Sequence, residues 1–168
     1  MRVLARSTFA AIALASVVAL GGCSAIQGLI GGGDPVARDA ETQEVTEAGT
    51  ADVFSLQVGD CMDEPDAEEV TEVPAVPCSE PHDDEIYYEF TMPDGEFPGE
   101  EAITAAADAE CAPQFDTFVG LAYAESVLDW YPYTPTEGSW TEGGDRVVQC
   151  VIYEPNVRTV GSLEGVAR

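Results

Sequence analysis

The chain contains no lysine, and its six arginines and single histidine face 32 aspartates and glutamates, for a formal net charge of −26. Such a field repels phosphate backbones and anionic headgroups, which excludes nucleic-acid binding and electrostatic docking on a membrane. It favours cations or a basic partner, and the plainer alternative is a solvated surface that keeps the protein soluble. Catalytic signatures are missing as well. GSLEG (161–165) is not the G-x-S-x-G elbow of serine hydrolases, no Cys-x-x-Cys knuckle occurs, and PDGEFPGEE (93–101) lacks the Asp-x-Asp-x-Asp-Gly spacing of a calcium loop. With 32 acids some close carboxylate pair arises by chance, so paired carboxylates identify nothing. No internal repeat is evident.

What is present begins at the N-terminus. Arg2 and Arg6 precede the apolar stretch TFAAIALASVVAL (8–20), which falls short of the roughly 20 residues that span a bilayer, and LGGC (20–23) follows at once. The small residues before Cys23 resemble the lipobox of bacterial lipoproteins. That resemblance implies a signal peptide over 1–22, lipidation of Cys23, and a mature protein held on the extracytoplasmic face of the cell membrane by acyl chains. An ordinary secretory signal cut nearby would leave Cys23 an odd thiol, and either way the chain is exported. Processing leaves four arginines against 32 acids. Residues 23–51 are rich in Gly, Ala, Glu and Thr with little apolar content, and are expected to form a flexible acidic tether reaching roughly 30 Å as a coil.

Residues 52–168 read as one domain. Alternation in EVTEVPAV (69–76), EIYYEF (85–90) and RVVQCVIYE (146–154) predicts strands, with a turn at the Pro and His-Asp-Asp segment between the first two. The third places Val148, Cys150 and Ile152 on one side. In GEEAITAAADAECAPQFDTFVG (99–120), Ile103, Ala107, Cys111, Phe115 and Phe118 recur at spacings of four and three and mark one helical face, with Gly120 as the stop and Pro113 as a kink point. The expected class is α+β, a small antiparallel sheet packed against one main helix.

Cys61, Cys78, Cys111 and Cys150 are an even set in an exported chain, which predicts disulfides. Of the three connectivities, Cys61 with Cys78 and Cys111 with Cys150 is the expected one, the second pair because both face the core. The competing reading is zinc held by Cys78, His82 and two further cysteines.

His82, in VPCSEPHDDEIYYEF (76–90), follows a turn-forming proline and precedes three acids. A structural ion pair or turn contact is expected, with a general base as the rival reading. DWYPYTPTEGSW (129–140) gathers Trp130, Tyr131, Tyr133 and Trp140, either as an aromatic platform for glycan or peptide or as the closure of a small core. Arg146 and Arg158 are expected to find carboxylates, and the acids of DAEEVTE (66–72) and HDDE (82–85) to steer a basic partner. No cofactor is expected.

VGDCMDEP (58–65), VPCSEPHDDEIY (76–87), FPGEEAI (97–103) with Cys111 following, GSWTEGGDRVVQC (138–150) and GSLEG (161–165) together resemble the septum formation family of actinobacterial exported proteins. The resemblance covers nearly the whole domain in order. It implies a small envelope-facing domain without established enzymatic residues, and a link to cell division carried by the family name. The expected function is a lipid-anchored, non-enzymatic interaction module whose partner is an envelope or division protein. The alternatives are an envelope hydrolase using His82 and a calcium-binding structural lipoprotein.

Overall fold

The computed structural model describes residues 36–65 and 70–168. The expected signal segment 1–22, Cys23 and the first part of the expected tether lie outside the described residues. Six strands and one long helix run in the order β1 (Gly49–Asp52), β2 (Cys61–Met62), β3 (Glu72–Val76), β4 (Asp84–Thr91), α1 (Glu100–Val119), β5 (Asp129–Tyr133) and β6 (Val147–Tyr153). The strands form one antiparallel sheet in the order β1-β3-β2-β4-β6-β5. This is the α+β class that the alternation and the helical spacing predict. Among the described residues no helix is long and apolar enough to cross a membrane.

The predicted first pair, β3 and β4, does not pair directly. The two-residue strand β2 lies between them, with Cys61 opposite Val76 on one side and Glu85 on the other. A strand that short carries no readable period. β5 escaped prediction for another reason: Pro132 cannot donate to a ladder, and β5 tolerates it because it stands at the edge of the sheet.

α1 covers one face of the sheet. Ile103, Ala107, Cys111, Phe115 and Val119 are its buried positions, and they pack with Tyr87, Val148, Cys150 and Ile152. Phe118 is partly buried against Tyr87, with ring centroids 5.7 Å apart. Pro113 lies on the exposed side of the helix, which continues through it, and Gly120 ends it at a φ of 77° that favours glycine. A register shift between Ile86 and Tyr88 in the β4–β6 ladder explains why Tyr87 and Tyr88 both pack on the helix side while Ile86 joins the opposite face.

Among the described residues no α-helix packs on the opposite face. Its apolar residues Met62, Val73, Ala75, Ile86 and Val151 are covered by the chain that leads into β2, through Val45, Ala51 and Leu56. This corrects the expected tether boundary at residue 51. Residues 36–51 belong to the folded region: Arg38 and Val45 form an antiparallel bridge, Val45 and Ala51 are buried, and β1 pairs with β3. The two guanidinium nitrogens of Arg38 each lie 2.6 Å from one oxygen of Asp60, which is itself buried and also accepts from the Gln57 amide. An isolated valine and alanine in an acidic stretch give no pattern, so this attachment is invisible until the ion pair is seen.

Both expected disulfides form. Cys61–Cys78 ties β2 to the turn after β3 with a Cα separation of 5.1 Å, and Cys111–Cys150 joins α1 to β6 at 5.8 Å.

Candidate functional site

His82 is fully buried just before β4, where its backbone exchanges two hydrogen bonds with Thr159. Its Nδ1 lies 2.9 Å from the carbonyl oxygen of Glu80, which can only accept, so Nδ1 carries the hydrogen. Nε2 lies 3.1 Å from the Thr159 hydroxyl, which donates to it in the neutral ring. A hydroxyl beside an imidazole has the outline of a nucleophile and its base. Both side chains are buried, however, so no substrate reaches them, and the contact joins the C-terminal segment to the sheet. The zinc reading loses its ligands too, since Cys78 is bonded to Cys61 and both ring nitrogens of His82 are engaged.

The acids following His82 are likewise committed. Asp83 pairs with Arg158 at 3.4 Å, Asp84 accepts from the Tyr131 hydroxyl at 2.9 Å, and Glu85 accepts from Ser162 Oγ and the Leu163 amide, both at 2.7 Å. Asp84 and Glu85 are 4% and 1% exposed, so HDDE is not a steering surface. Of DAEEVTE, residues 66–69 lie outside the described residues. Burial pushes the Asp84 carboxyl up to about 6, against a smaller opposing effect of the Tyr131 hydrogen bond. Burial also raises the Tyr131 phenol, and the Asp84 charge adds to it.

The four aromatic candidates divide between the two faces. Trp140 is buried on the helix side, its Nε1 donating to the Gly95 carbonyl at 2.9 Å and its ring stacked by the Arg146 guanidinium at 3.8 Å. Trp130 packs half-buried against the same core. Tyr131 and Tyr133 lie on the other face, in edge-to-face contact at 5.5 Å, both half-buried. There, among the described residues, they line an open groove along β4, β6 and β5. Gln149 anchors one wall by donating to the Leu56 carbonyl at 3.0 Å. Phe54, 66% exposed, and Val147 present apolar surface there, and Glu64, Glu89 and Glu142 add carboxylates.

Sequence reasoning placed Tyr131 and Tyr133 among the candidates but missed Phe54, Glu64, Glu89 and Gln149. Glu89 and Gln149 are directly opposite in the β4–β6 ladder. Their spacing from the buried residues of each strand was the available signal: the polar side of the two best-defined alternating strands becomes the groove floor.

Every arginine among the described residues is ion-paired: Arg38 with Asp60, Arg146 with Asp94 at 3.6 Å, Arg158 with Asp63 and Asp83, and Arg168 with Glu154 at 2.7 Å. The acidic excess therefore meets solvent without an uncommitted cation on this surface.

A family model described as septum formation matches residues 29–159, well over half of the chain. The chain belongs to the septum formation family. The family name ties the protein to cell division, and the matched region takes in the 36–51 segment that packs on the helix-free face of this septum formation domain. No curated protein and no solved structure matches the chain.

Proposed function

We propose that the protein is a lipid-anchored, extracytoplasmic interaction module of the dividing cell envelope, which binds a basic segment of an envelope or division protein without catalysing a reaction. The carrying observation is the groove on the helix-free face, where Tyr131, Tyr133 and Phe54 offer apolar surface beside Glu64, Glu89 and Glu142. Among the described residues the one cation in its lining, Arg146, is stacked on Trp140 and bonded to the Trp140 and Asp145 carbonyls. Such a surface complements an arginine- or lysine-bearing segment that also supplies an apolar side chain, with charge accelerating encounter and the aromatic lining slowing release. Anchoring at Cys23 would keep this groove beside the membrane in which division proteins assemble.

Site-specific photo-crosslinking in growing cells tests this reading. A crosslinker at Phe54 or Glu89 is expected to capture a discrete division or envelope partner, and one at Ala105 on the exposed side of α1 to capture none. With the captured partner purified, affinity should fall as salt rises from 50 to 300 mM, and Glu89→Gln with Glu64→Gln should slow association several-fold. Equal capture from both faces, or affinity indifferent to salt and to those substitutions, would refute the groove. Mass spectrometry of the mature N-terminus checks the anchor: a diacylated Cys23 is expected, and an unmodified terminus starting elsewhere removes it.

A further inference from the structure

The two disulfides sit in different chemical settings. Cys111 and Cys150 are both fully buried in the main core, between α1 and β6. Cys61 is fully buried as well, but Cys78 is only partly buried, on the turn that follows β3. Glu85 stands directly across from Cys61 in the β2–β4 ladder and is 1% exposed. A carboxylate oxygen of Glu85 and the two sulfurs all lie within 4.8 Å of one another. A buried carboxyl next to a buried sulfur, whose partner cysteine is only partly buried, is the arrangement that thiol–disulfide exchange needs: one sulfur to be attacked, one to leave, and an acid to protonate what leaves.

We infer that Cys61–Cys78 is an exchangeable disulfide that reacts with a dithiol, with Glu85 as its proton donor. A thiolate of the dithiol attacks Cys78 Sγ and forms a mixed disulfide there. The Cys61–Cys78 bond breaks, its electron pair stays on Cys61 Sγ, and that sulfur takes the proton from Glu85. The second thiol of the dithiol then attacks the mixed disulfide and releases Cys78 as thiolate. The dithiol leaves oxidised to a disulfide, Cys61 and Cys78 are left reduced, and Glu85 regains its proton from water. The reverse sequence reoxidises the pair with a disulfide as oxidant.

The surroundings suit each role. Ser162 can reverse its hydrogen bond, donating to Glu85 when it is ionised and accepting from it when it is protonated. Burial raises the Glu85 carboxyl above the ordinary range, opposed by the hydrogen bonds from the Leu163 amide and Ser162, so a proton is held closer to neutral pH. Two titratable groups face it: His82 from the segment before β4, which lowers the Glu85 carboxyl, and Glu164 from the C-terminal segment, which raises it. Around Cys78, the Gly59 carbonyl lies 3.3 Å from the sulfur and the Gly161 amide donates to the Cys78 carbonyl at 2.6 Å. Their sequence neighbours Val58 and Val160 are 50% and 65% exposed. The segment 159–163, held by Cys78, His82 and Glu85, is what opening of the disulfide would loosen.

The test uses the full-length protein with dithiothreitol as the dithiol, timed alkylation, and mass spectrometry of each cysteine. Cys61 and Cys78 are expected to become alkylated at least tenfold faster than Cys111 and Cys150, under conditions where near-ultraviolet circular dichroism stays native. Glu85→Gln should slow that opening about tenfold near pH 7 and flatten its pH dependence. A Cys61→Ala variant should form a mixed disulfide with oxidised glutathione at Cys78, a readout that stands even if Glu85→Gln fails to fold. Opening of both disulfides together, only as the protein unfolds, would overturn the proposal. So would an unchanged rate in folded Glu85→Gln, or no glutathione adduct at Cys78.

Discussion

The Tyr131 hydroxyl donates to Asp84 across the helix-free face of the sheet, over a distance of 2.9 Å, and Asp84 is 4% exposed. One hydrogen bond does not replace the hydration that an ionised carboxylate loses, so the carboxyl is pushed up from an ordinary 3.8 to about 6. A raised folded-state value means that between about pH 4 and pH 6 the native protein holds a proton the unfolded chain has released. Stability therefore falls as pH rises through that window and levels off above it, by up to about 3 kcal/mol at roughly 1.36 kcal/mol per pKa unit. Asp84→Asn keeps an oxygen for the Tyr131 hydroxyl and removes the charge. It is expected to gain roughly 1–3 kcal/mol at pH 7.5 and nothing at pH 3.5, measured by urea unfolding at both values. Parallel curves at the two pH values would contradict the assignment.

The double contact between Arg38 and Asp60 helps hold the 36–46 segment to the sheet, beside the burial of Val45. Arg38→Ala leaves a buried carboxylate with only the Gln57 amide, and because Arg38 retains 16% exposure the cost should be about 2 kcal/mol, below the range for a wholly buried pair. The loss should be local. Hydrogen exchange is expected to show the Thr46 amide, which donates to the Ala37 carbonyl, losing protection while the β4–β6 ladder keeps its own. Uniform loss across the sheet would mean that the segment is part of one cooperative unit.

Much of the helix side was legible in the sequence, and most of the other side was not. Ile103, Ala107, Cys111 and Phe115 recur on a helical period, Val148, Cys150 and Ile152 on a strand period, and the two sets meet in one core cluster. The second face is assembled from fragments too short or too polar for a period: Cys61 and Met62 in β2, Gly49 to Asp52 in β1, single residues such as Val45 and Leu56. Their placement depends on long-range partners, Arg38 with Asp60 and Gln149 with the Leu56 carbonyl. The groove inherits that difficulty. Tyr131 and Tyr133 stood out as aromatics, whereas Phe54 and Glu89 acquire meaning only once β5, β6 and the Val53–Ser55 turn are side by side.

Cys111–Cys150 joins two elements already packed together, so its contribution lies mainly in restricting the unfolded chain. With the partners separated by 39 positions, the loop-entropy relation gives about 4 kcal/mol. Replacing both cysteines with alanine should lower the unfolding free energy by that order and leave the Cys61–Cys78 bridge intact by mass spectrometry. A loss under about 1 kcal/mol would show that the unfolded state is already compact around this pair.

His82 separates the enzymatic reading from the binding one. Its ring lies between the Glu80 carbonyl and the buried Thr159 hydroxyl, so its removal leaves that hydroxyl without its side-chain partner and a cavity where the imidazole stood. His82→Ala should accordingly cost about 2–4 kcal/mol, more than a turn contact would, through the combination of an unpaired hydroxyl and lost packing. His82→Gln, which can still donate to a carbonyl, should recover part of that loss. Neither substitution should change the affinity of the folded protein for a partner captured at Phe54 or Glu89, because those residues line the groove and His82 does not. The check is a thermal unfolding series run beside a binding titration at a temperature where both variants remain folded. Unchanged stability with binding abolished would place His82 in the recognition site and reverse the structural role argued from its two hydrogen bonds.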